Sequence, residues 1–395
     1  MLIAIVLDIA LVLVLLSYLV IGWKGGFART LAVIVGLLLG AALAFLAIPI
    51  VVAIVPAPEW RGVAALGLAI GLLAGGHAVG DLVGSSVRGA VRAKPLAAID
   101  RLLGALLSLV AVALTSSLVL GSVGAIGMPL LSNAVAGSGV LRTIERLTPD
   151  PVDGALARIR AAVLDDGLPS IADALGGVSR SPGAPTLEGT GPGFEAAAAS
   201  VVRVGGTAYA CGQNQTGSGF VVAPDRVVTN AHVVAGVERP VVERRDGGAV
   251  EGRVVLFDAE TDLAVIATDG LGLPAIALAA TPARGDRGAV LGYPYGGPFT
   301  VGGAEVLAVT SERVDDIYGA RGTRREVATL AAVVEPGNSG GPLLTLEGEV
   351  AGVVFAESSA DPELGYAMTD AELGPVAAAA AGLSRPVVSG RCTRG

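Results

Sequence analysis

The apolar positions of this chain fall into two textures. Up to about residue 131 they run on almost unbroken; after about residue 200 they come in short stretches cut by Gly, Pro and Asp. Four early runs are long enough to cross a bilayer, which takes about 20 helical residues. They cover Leu2 to Ile21, Leu31 to Val55, Gly62 to Gly80 and Leu102 to Leu131. Asp8 and His77 lie near the ends of their runs, where water or headgroups reach them. The first run has neither a cationic leader nor a small-residue cleavage site, so it reads as a retained anchor. Small residues recur four apart, at Gly36 and Gly40 and at Gly67, Gly71 and Gly75, a spacing that brings helices close in lipid.

Basic residues near the runs set the expected orientation. Lys24 and Arg29 lie between the first two runs, and Arg88, Arg92, Lys94 and Arg101 between the last two. The middle connection holds only Glu59 and Arg61. Two cytoplasmic loops are therefore expected, with both termini outside.

From Asn133 to Ala174 the pattern is mixed, and Leu156, Ile159, Val163 and Leu164 at helical spacing predict one or two short amphipathic helices. The stretch from Gly176 to Gly193, with Ser181-Pro182-Gly183-Ala184-Pro185 inside it, predicts an exposed flexible linker. Beyond it, Val201 to Val204, Gly219 to Val222, Val250 to Phe257, Leu263 to Ala267 and Val350 to Phe355 read as short strands between turns, an all-β barrel or sandwich. The expected division is a membrane domain over 1–131, a helical connector and linker over 132–194, and a soluble domain over 195–395.

Composition sharpens this picture. The chain is 52% apolar and only 16% charged, against roughly a quarter charged in soluble domains. A net charge of −8 offers no basic field for nucleic acid. The only cysteines, Cys211 and Cys392, stand near the two ends of the soluble half. They read as one staple in an oxidising compartment, with two unrelated thiols as the alternative.

Three segments hold the chemistry: Val228-Thr229-Asn230-Ala231-His232-Val233-Val234, Thr261-Asp262-Leu263-Ala264-Val265 and Pro336-Gly337-Asn338-Ser339-Gly340-Gly341-Pro342. A serine hydroxyl is a weak nucleophile near neutral pH and needs a base beside it. Imidazole suits that part, and His232 is the one histidine of the soluble half. The imidazole in turn needs a carboxylate to fix its tautomer. Asp262 is the candidate, with Asp258 and Asp269 in competition. Glycines around Ser339 let the Gly337 and Ser339 N–H groups aim at one point as an oxyanion hole, where losing one donor costs about 3–4 kcal/mol.

The membrane half, over roughly 1–130, resembles the colicin V production (CvpA) family of four-helix inner-membrane proteins in hydropathy, length and Gly content. The three segments resemble the chymotrypsin (trypsin-like) superfamily, most closely its HtrA-like branch. That resemblance implies an all-β double barrel with His232 as general base, Asp262 as its orienter, Ser339 as nucleophile, and Gly337 and Ser339 as oxyanion-hole donors. Gly352 to Ala356 would be the strand that pairs with substrate, with Val354, Phe355 and Ala356 at the binding surface. The chain ends 56 residues after Ser339, so the PDZ domain of HtrA proteases is not expected.

Both halves together resemble the actinobacterial membrane-anchored acid-resistance serine proteases (MarP type). The resemblance implies a periplasmic endopeptidase, anchored in the bilayer by a four-helix transmembrane bundle, that serves in acid or oxidative stress. Its expected substrates are periplasmic or cell-envelope proteins, its own linker included, with no cofactor or metal. Val333, six before the nucleophile, points to cleavage after an uncharged residue. The competing readings are a non-catalytic scaffold with a binding barrel and a redox sensor acting through Cys211 and Cys392.

Overall fold

The computed structural model describes residues 2–54, 58–88, 94–124, 131, 134–135, 137–164, 170–171, 178, 180–208, 213–320 and 322–393. The chain divides into two compact units, Asp8–Ser117 and Met1–Leu7 with Leu118–Gly395.

Four long helices fill the N-terminal part: α1 (Leu2–Gly25), α2 (Phe27–Ile54), α3 (Pro58–Arg88) and α4 (Lys94–Gly124). Gly26, at φ 76°, supplies the left-handed residue that ends α1 and frees α2 to start. Each helix holds a candidate span: Ile3–Gly25, Phe27–Ile48, Leu66–Ser86 and Ala97–Gly121. Leu13, Leu38, Phe45, Leu46 and Leu82 are exposed, an outer surface suited to lipid and not to water.

The close approach of α2 and α3 differs from expectation on one side. Gly36 and Gly40 do face α3, where an added Cβ would strike the Gly76 and Leu72 carbonyl oxygens. The partner stripe is Gly76, Gly80 and Gly84. At Gly67, Gly71 and Gly75 an added Cβ meets nothing within 4 Å among the described residues. One position along a helix turns a side chain by about 100°, so the sequence spacing was sound but its face was not. An ion pair, Arg29 Nε to Asp81 Oδ1 at 2.5 Å, also joins the two helices.

The connector forms α5 (Gly139–Leu147), capped by the Ser138 hydroxyl at 3.1 Å from the Leu141 N–H, then α6 (Asp150–Leu164) and a two-residue strand β1 (Ser170–Ile171). The stretch expected to be a flexible linker instead lies along the second barrel over its described residues, 180–193. There the Ser181 N–H donates to Asp361 Oδ2 at 2.9 Å, the Gly191 N–H donates to the Leu346 carbonyl at 2.6 Å, and Leu187 packs on the core.

Thirteen strands are described in all, twelve of them in two closed antiparallel barrels. The first barrel is ordered β2 (Val201–Ala208), β3 (Gln213–Ala223), β4 (Arg226–Thr229), β7 (Leu263–Thr268), β6 (Ala249–Asp258), β5 (Val241–Glu243). The second is ordered β12 (Val350–Ser358), β11 (Pro342–Thr345), β8 (Arg287–Gly292), β9 (Thr300–Arg313), β10 (Arg324–Ala331), β13 (Leu364–Met368), closing between β12 and β13. Short helices α7 (Phe194–Ala198), α8 (Ala231–Val234) and α9 (Asp370–Ala380) complete the unit.

Unbroken Val and Ala runs mark these strands because both faces are covered. In β7, Ala264 and Ile266 point into the first barrel, while Leu263 and Val265 join a core shared by both barrels with Phe220, Leu291 and Phe355. Period-two alternation thus sends neighbours to two different cores, with Leu263, Val265 and Ile266 each contributing about 1.5–3 kcal/mol by burial. The C-terminal tail returns to the first barrel: the Val387 N–H donates to the Val254 carbonyl and the Gly236 N–H to the Ser389 carbonyl, both at 2.9 Å.

Candidate active site

The base side is built from two adjoining strands of the first barrel. Strand β4 runs into the single turn α8, which carries His232, and the turn before β7 carries Asp262; Thr229 and Ala264 are paired across the sheet. His232 Nδ1 lies 2.8 Å from Asp262 Oδ2, and Asp262 Oδ1 accepts the His232 N–H at 2.9 Å. The Asp262 carbonyl also accepts from Asn230 Nδ2 at 2.8 Å and from the Ala231 N–H at 3.1 Å. Asp262 reaches this double grip with φ 56°, a left-handed conformation that costs a non-glycine residue about 1–2 kcal/mol. The two competing acids are engaged elsewhere. Asp258 Oδ1 accepts the Glu260 and Thr261 N–H groups, shaping the turn that presents Asp262, and Asp269 pairs with Arg253 at 2.8 Å.

The nucleophile side is a loop between β10 and β11. Gly337 has φ 95°, and a Cβ there would collide with the Tyr293 carbonyl oxygen, so only glycine fits. Neither the Gly337 nor the Ser339 N–H has an acceptor among the described residues. Ser339 is 2% exposed, and its Oγ makes no hydrogen bond among the described residues.

Two residues that sequence reasoning did not single out hold this loop. Ser218, on β3 of the first barrel, donates its hydroxyl to the Gly337 carbonyl at 2.7 Å and accepts the Tyr293 N–H at 2.9 Å. Its own N–H donates to the Ser339 carbonyl at 2.8 Å. The available signal was Gly217-Ser218-Gly219, since strand glycines mark close backbone approach. Tyr295, in the 3₁₀ turn Pro294–Gly296 after β8, donates its N–H to the Pro336 carbonyl.

Val354, Phe355 and Ala356, expected at the binding surface, lie together in β12. The Val354 N–H donates to the Gly341 carbonyl at 2.9 Å and the Val354 carbonyl accepts from Gly340 at 2.8 Å, while its side chain fills the second barrel. Its main chain is thus committed to the nucleophile loop. Phe355 and Ala356 follow at a bulge in β12, both buried in the shared core. Strand β1 lies parallel to β12 at Glu357 and Ser358. Burial, and then the nearby Glu335 carboxylate, push Glu357 above the usual carboxylate range. Val333 lies open, at 49% exposure.

Cys392 is disulfide-bonded and packs against the first barrel's core. The chain's other cysteine, Cys211, lies outside the described residues. Among the described residues no group of His, Cys, Asp and Glu is arranged to hold a metal ion.

The Trypsin-like peptidase domain family matches residues 217–353, and the Colicin V production protein family matches residues 7–149. Over 395 residues the chain is 38% identical to Serine protease Rv3671c of Mycobacterium tuberculosis (strain ATCC 25618 / H37Rv), covering 98% of each. The same figures hold for Serine protease MT3772 of strain CDC 1551 / Oshkosh. A crystal structure of the Rv3671c protease in its active form is 38% identical with a TM-score of 0.49, covering 56% of this chain and 100% of that one. With both families in one chain and relatives matched along nearly its whole length, the chain belongs to the Rv3671c-type serine proteases, a membrane domain of the colicin V production kind followed by a trypsin-like peptidase domain.

Proposed function

We propose that His232, Asp262 and Ser339 are the catalytic residues of this membrane-anchored protease, with Gly337 and Ser339 as its oxyanion-hole donors. The observation that carries this reading is the bonded His232–Asp262 pair together with the Gly337 and Ser339 N–H groups, which have no acceptor among the described residues. Ser339 Oγ attacks the scissile carbonyl carbon and passes its proton to His232 Nε2, while Nδ1–H donates to Asp262 Oδ2. The developing oxyanion takes hydrogen bonds from Gly337 and Ser339. The tetrahedral intermediate collapses as His232 protonates the leaving amine, and an acyl-enzyme remains. Water, deprotonated by His232, then releases the acid and restores Ser339. The free Ser339 hydroxyl fits this cycle, because catalytic hydrogen bonds often tighten only when substrate binds.

The finer reading places the membrane domain over 1–131, the connector over 132–194 and the protease over 195–395. It places the protease and both termini outside the cytoplasm, the substrates among envelope proteins with an uncharged residue before the cut, and the role in acid or oxidative stress. The loop cations support the orientation, and the Arg29–Asp81 pair agrees with it, because it puts the start of α2 and the end of α3 at one membrane face. Cys392 and Cys211 are taken as partners that tie the tail to the first barrel; a thiol assay finding two free cysteines in the unfolded, oxidised chain would end that pairing.

The test is labelling of the full chain in lipid nanodiscs with a fluorophosphonate probe, beside Ser339→Ala. Labelling is expected in the parent and absent in the variant. A variant that still labels would move the nucleophile elsewhere, and a folded parent that never labels would favour a non-catalytic barrel.

A further inference from the structure

The connector helix α6 touches both the nucleophile loop and the 3₁₀ turn after β8. Arg158 Nη2 lies 3.1 Å from Glu335 Oε1, one residue before Pro336. The same guanidinium stands over the Tyr295 ring, 5.9 Å from its centre. One residue earlier, Ala157 abuts the 3₁₀ turn: a Cβ on Gly297 would lie 2.6 Å from the Ala157 Cβ, so helix and turn approach closely.

What α6 holds is strained. Tyr295 sits at φ 55°, ψ 25°, unusual for a bulky residue, and such a conformation persists only where the surroundings over-determine it. Its N–H grips the Pro336 carbonyl. That carbonyl and the Gly337 N–H belong to one trans peptide plane and point in opposite directions. Fixing the carbonyl on the Tyr295 side therefore fixes where the Gly337 N–H points. If Tyr295 relaxed, the plane could turn and the donor would be lost.

We infer that α6 is a brace for the oxyanion hole, with Arg158 as the positioning residue that clamps Glu335 and Tyr295 so that the Gly337 N–H faces the reacting carbonyl. This rests on the protease reading above and extends it: the segment between the last span and the barrel tunes the rate of the active site. An ion pair this exposed, with Arg158 65% accessible, adds little to stability. Its consequence is one of geometry.

The experiment uses the full chain in nanodiscs and the fluorophosphonate probe, whose phosphoryl oxygen must enter the same hole. The maximal labelling rate and the half-saturating probe concentration are measured for the parent, Arg158→Ala, Arg158→Lys, Arg158→Glu and the double variant Arg158→Glu with Glu335→Arg. Arg158→Ala is expected to lower the maximal rate about tenfold, short of the ~10²–10³ for outright loss of a donor. Half-saturation should stay within about twofold, since binding is not what changes. Arg158→Lys should recover part of the rate, keeping the charge but not the planar stacking. The double variant should outrun Arg158→Glu alone. Arg239→Ala, which removes a 4.0 Å pair with Glu251 on the first barrel, is the control and should match the parent. An Arg158→Ala chain that labels at the parental rate would overturn the brace. So would a loss that tracks a lower melting temperature and is not recovered by the charge swap. A parent that does not label at all would instead sink the protease reading beneath it.

Discussion

The two barrels equip the site in contrasting ways. In the first, base and acid lie on neighbouring strands, 30 residues apart in sequence, and hold each other: Asp262 binds both the ring and the main chain of His232. In the second, Ser339 stands on a loop whose form is imposed from outside, by Ser218 of the first barrel, by Tyr295 of the turn after β8 and by Arg158 of the connector. The base half is built locally, and the nucleophile half is held by remote segments. Damage to the first should act on proton transfer alone. Damage to the second should shift geometry and rate together, and stability as well where a buried partner such as Ser218 is lost.

Asp262→Asn tests the first half and should have the largest effect. An amide can keep its oxygen on the His232 N–H, but its NH₂ then faces Nδ1. That forces the ring proton onto Nε2, which can no longer take the Ser339 proton. Turnover should fall about 10⁴-fold, the usual cost of the wrong tautomer, with the fold intact by circular dichroism. A loss of less than about tenfold would mean that Asp262 orients nothing. The chosen observable is kcat on a peptide substrate, with a thermal melt in parallel.

The same contrast explains what could be read from the chain. Spans are legible because lipid imposes a length requirement, and His232, Asp262 and Ser339 because each sits in a contiguous, chemically explicit segment. The supports were not legible. Ser218 acquires meaning only by meeting Gly337, 119 residues away, and Arg158 by meeting Glu335, 177 residues away. The stretch 180–193 has the composition of a free linker, yet Asp361, 180 residues beyond Ser181, holds it down. The strand that carries Val354 can be read from sequence, whereas the bulge after it and the pairing of its main chain with Gly340 and Gly341 cannot.

Ser218→Ala probes the joint between the halves and should have an intermediate effect. It removes the donor to the Gly337 carbonyl and the acceptor for the Tyr293 N–H, leaving two buried groups unpartnered. Each such orphan costs about 1–3 kcal/mol, so stability should drop by roughly 2–3 kcal/mol after partial relaxation. Turnover should fall about tenfold as the Gly337 plane loosens, still below the ~10²–10³ for a lost donor. Unlike Asp262→Asn, this variant must lose both quantities. A change in rate with an unchanged denaturant midpoint would show that the barrels are coupled by something other than Ser218.

The smallest effect concerns how acid acts on stability. Glu372, in the first turn of α9, accepts the Glu326 N–H at 2.8 Å through Oε1, while its buried Oε2 has no partner among the described residues. Burial, with the Glu326 carboxylate adding to it, raises Glu372 above the usual carboxylate range. Between its ordinary pKa of about 4.3 and its higher native value the folded chain holds more protons than the unfolded one, so stability rises as pH falls through that window. Below both values nothing further is gained. Glu357 is raised too and acts in the same direction. Asp246, Asp269 and Asp361 are held low, so the stability they supply is lost only in stronger acid, below about pH 3.9. Mild acid should therefore firm this seam. Glu372→Gln, which cannot ionise, should melt about 2 °C above the parent at pH 7, a shift on the scale of a fraction of a kcal/mol for a domain of this size. The gap should close as pH approaches 4. A gap that stays constant across that range would show that Glu372 does not titrate there, and that the tolerance of the two halves to acid is set by other groups.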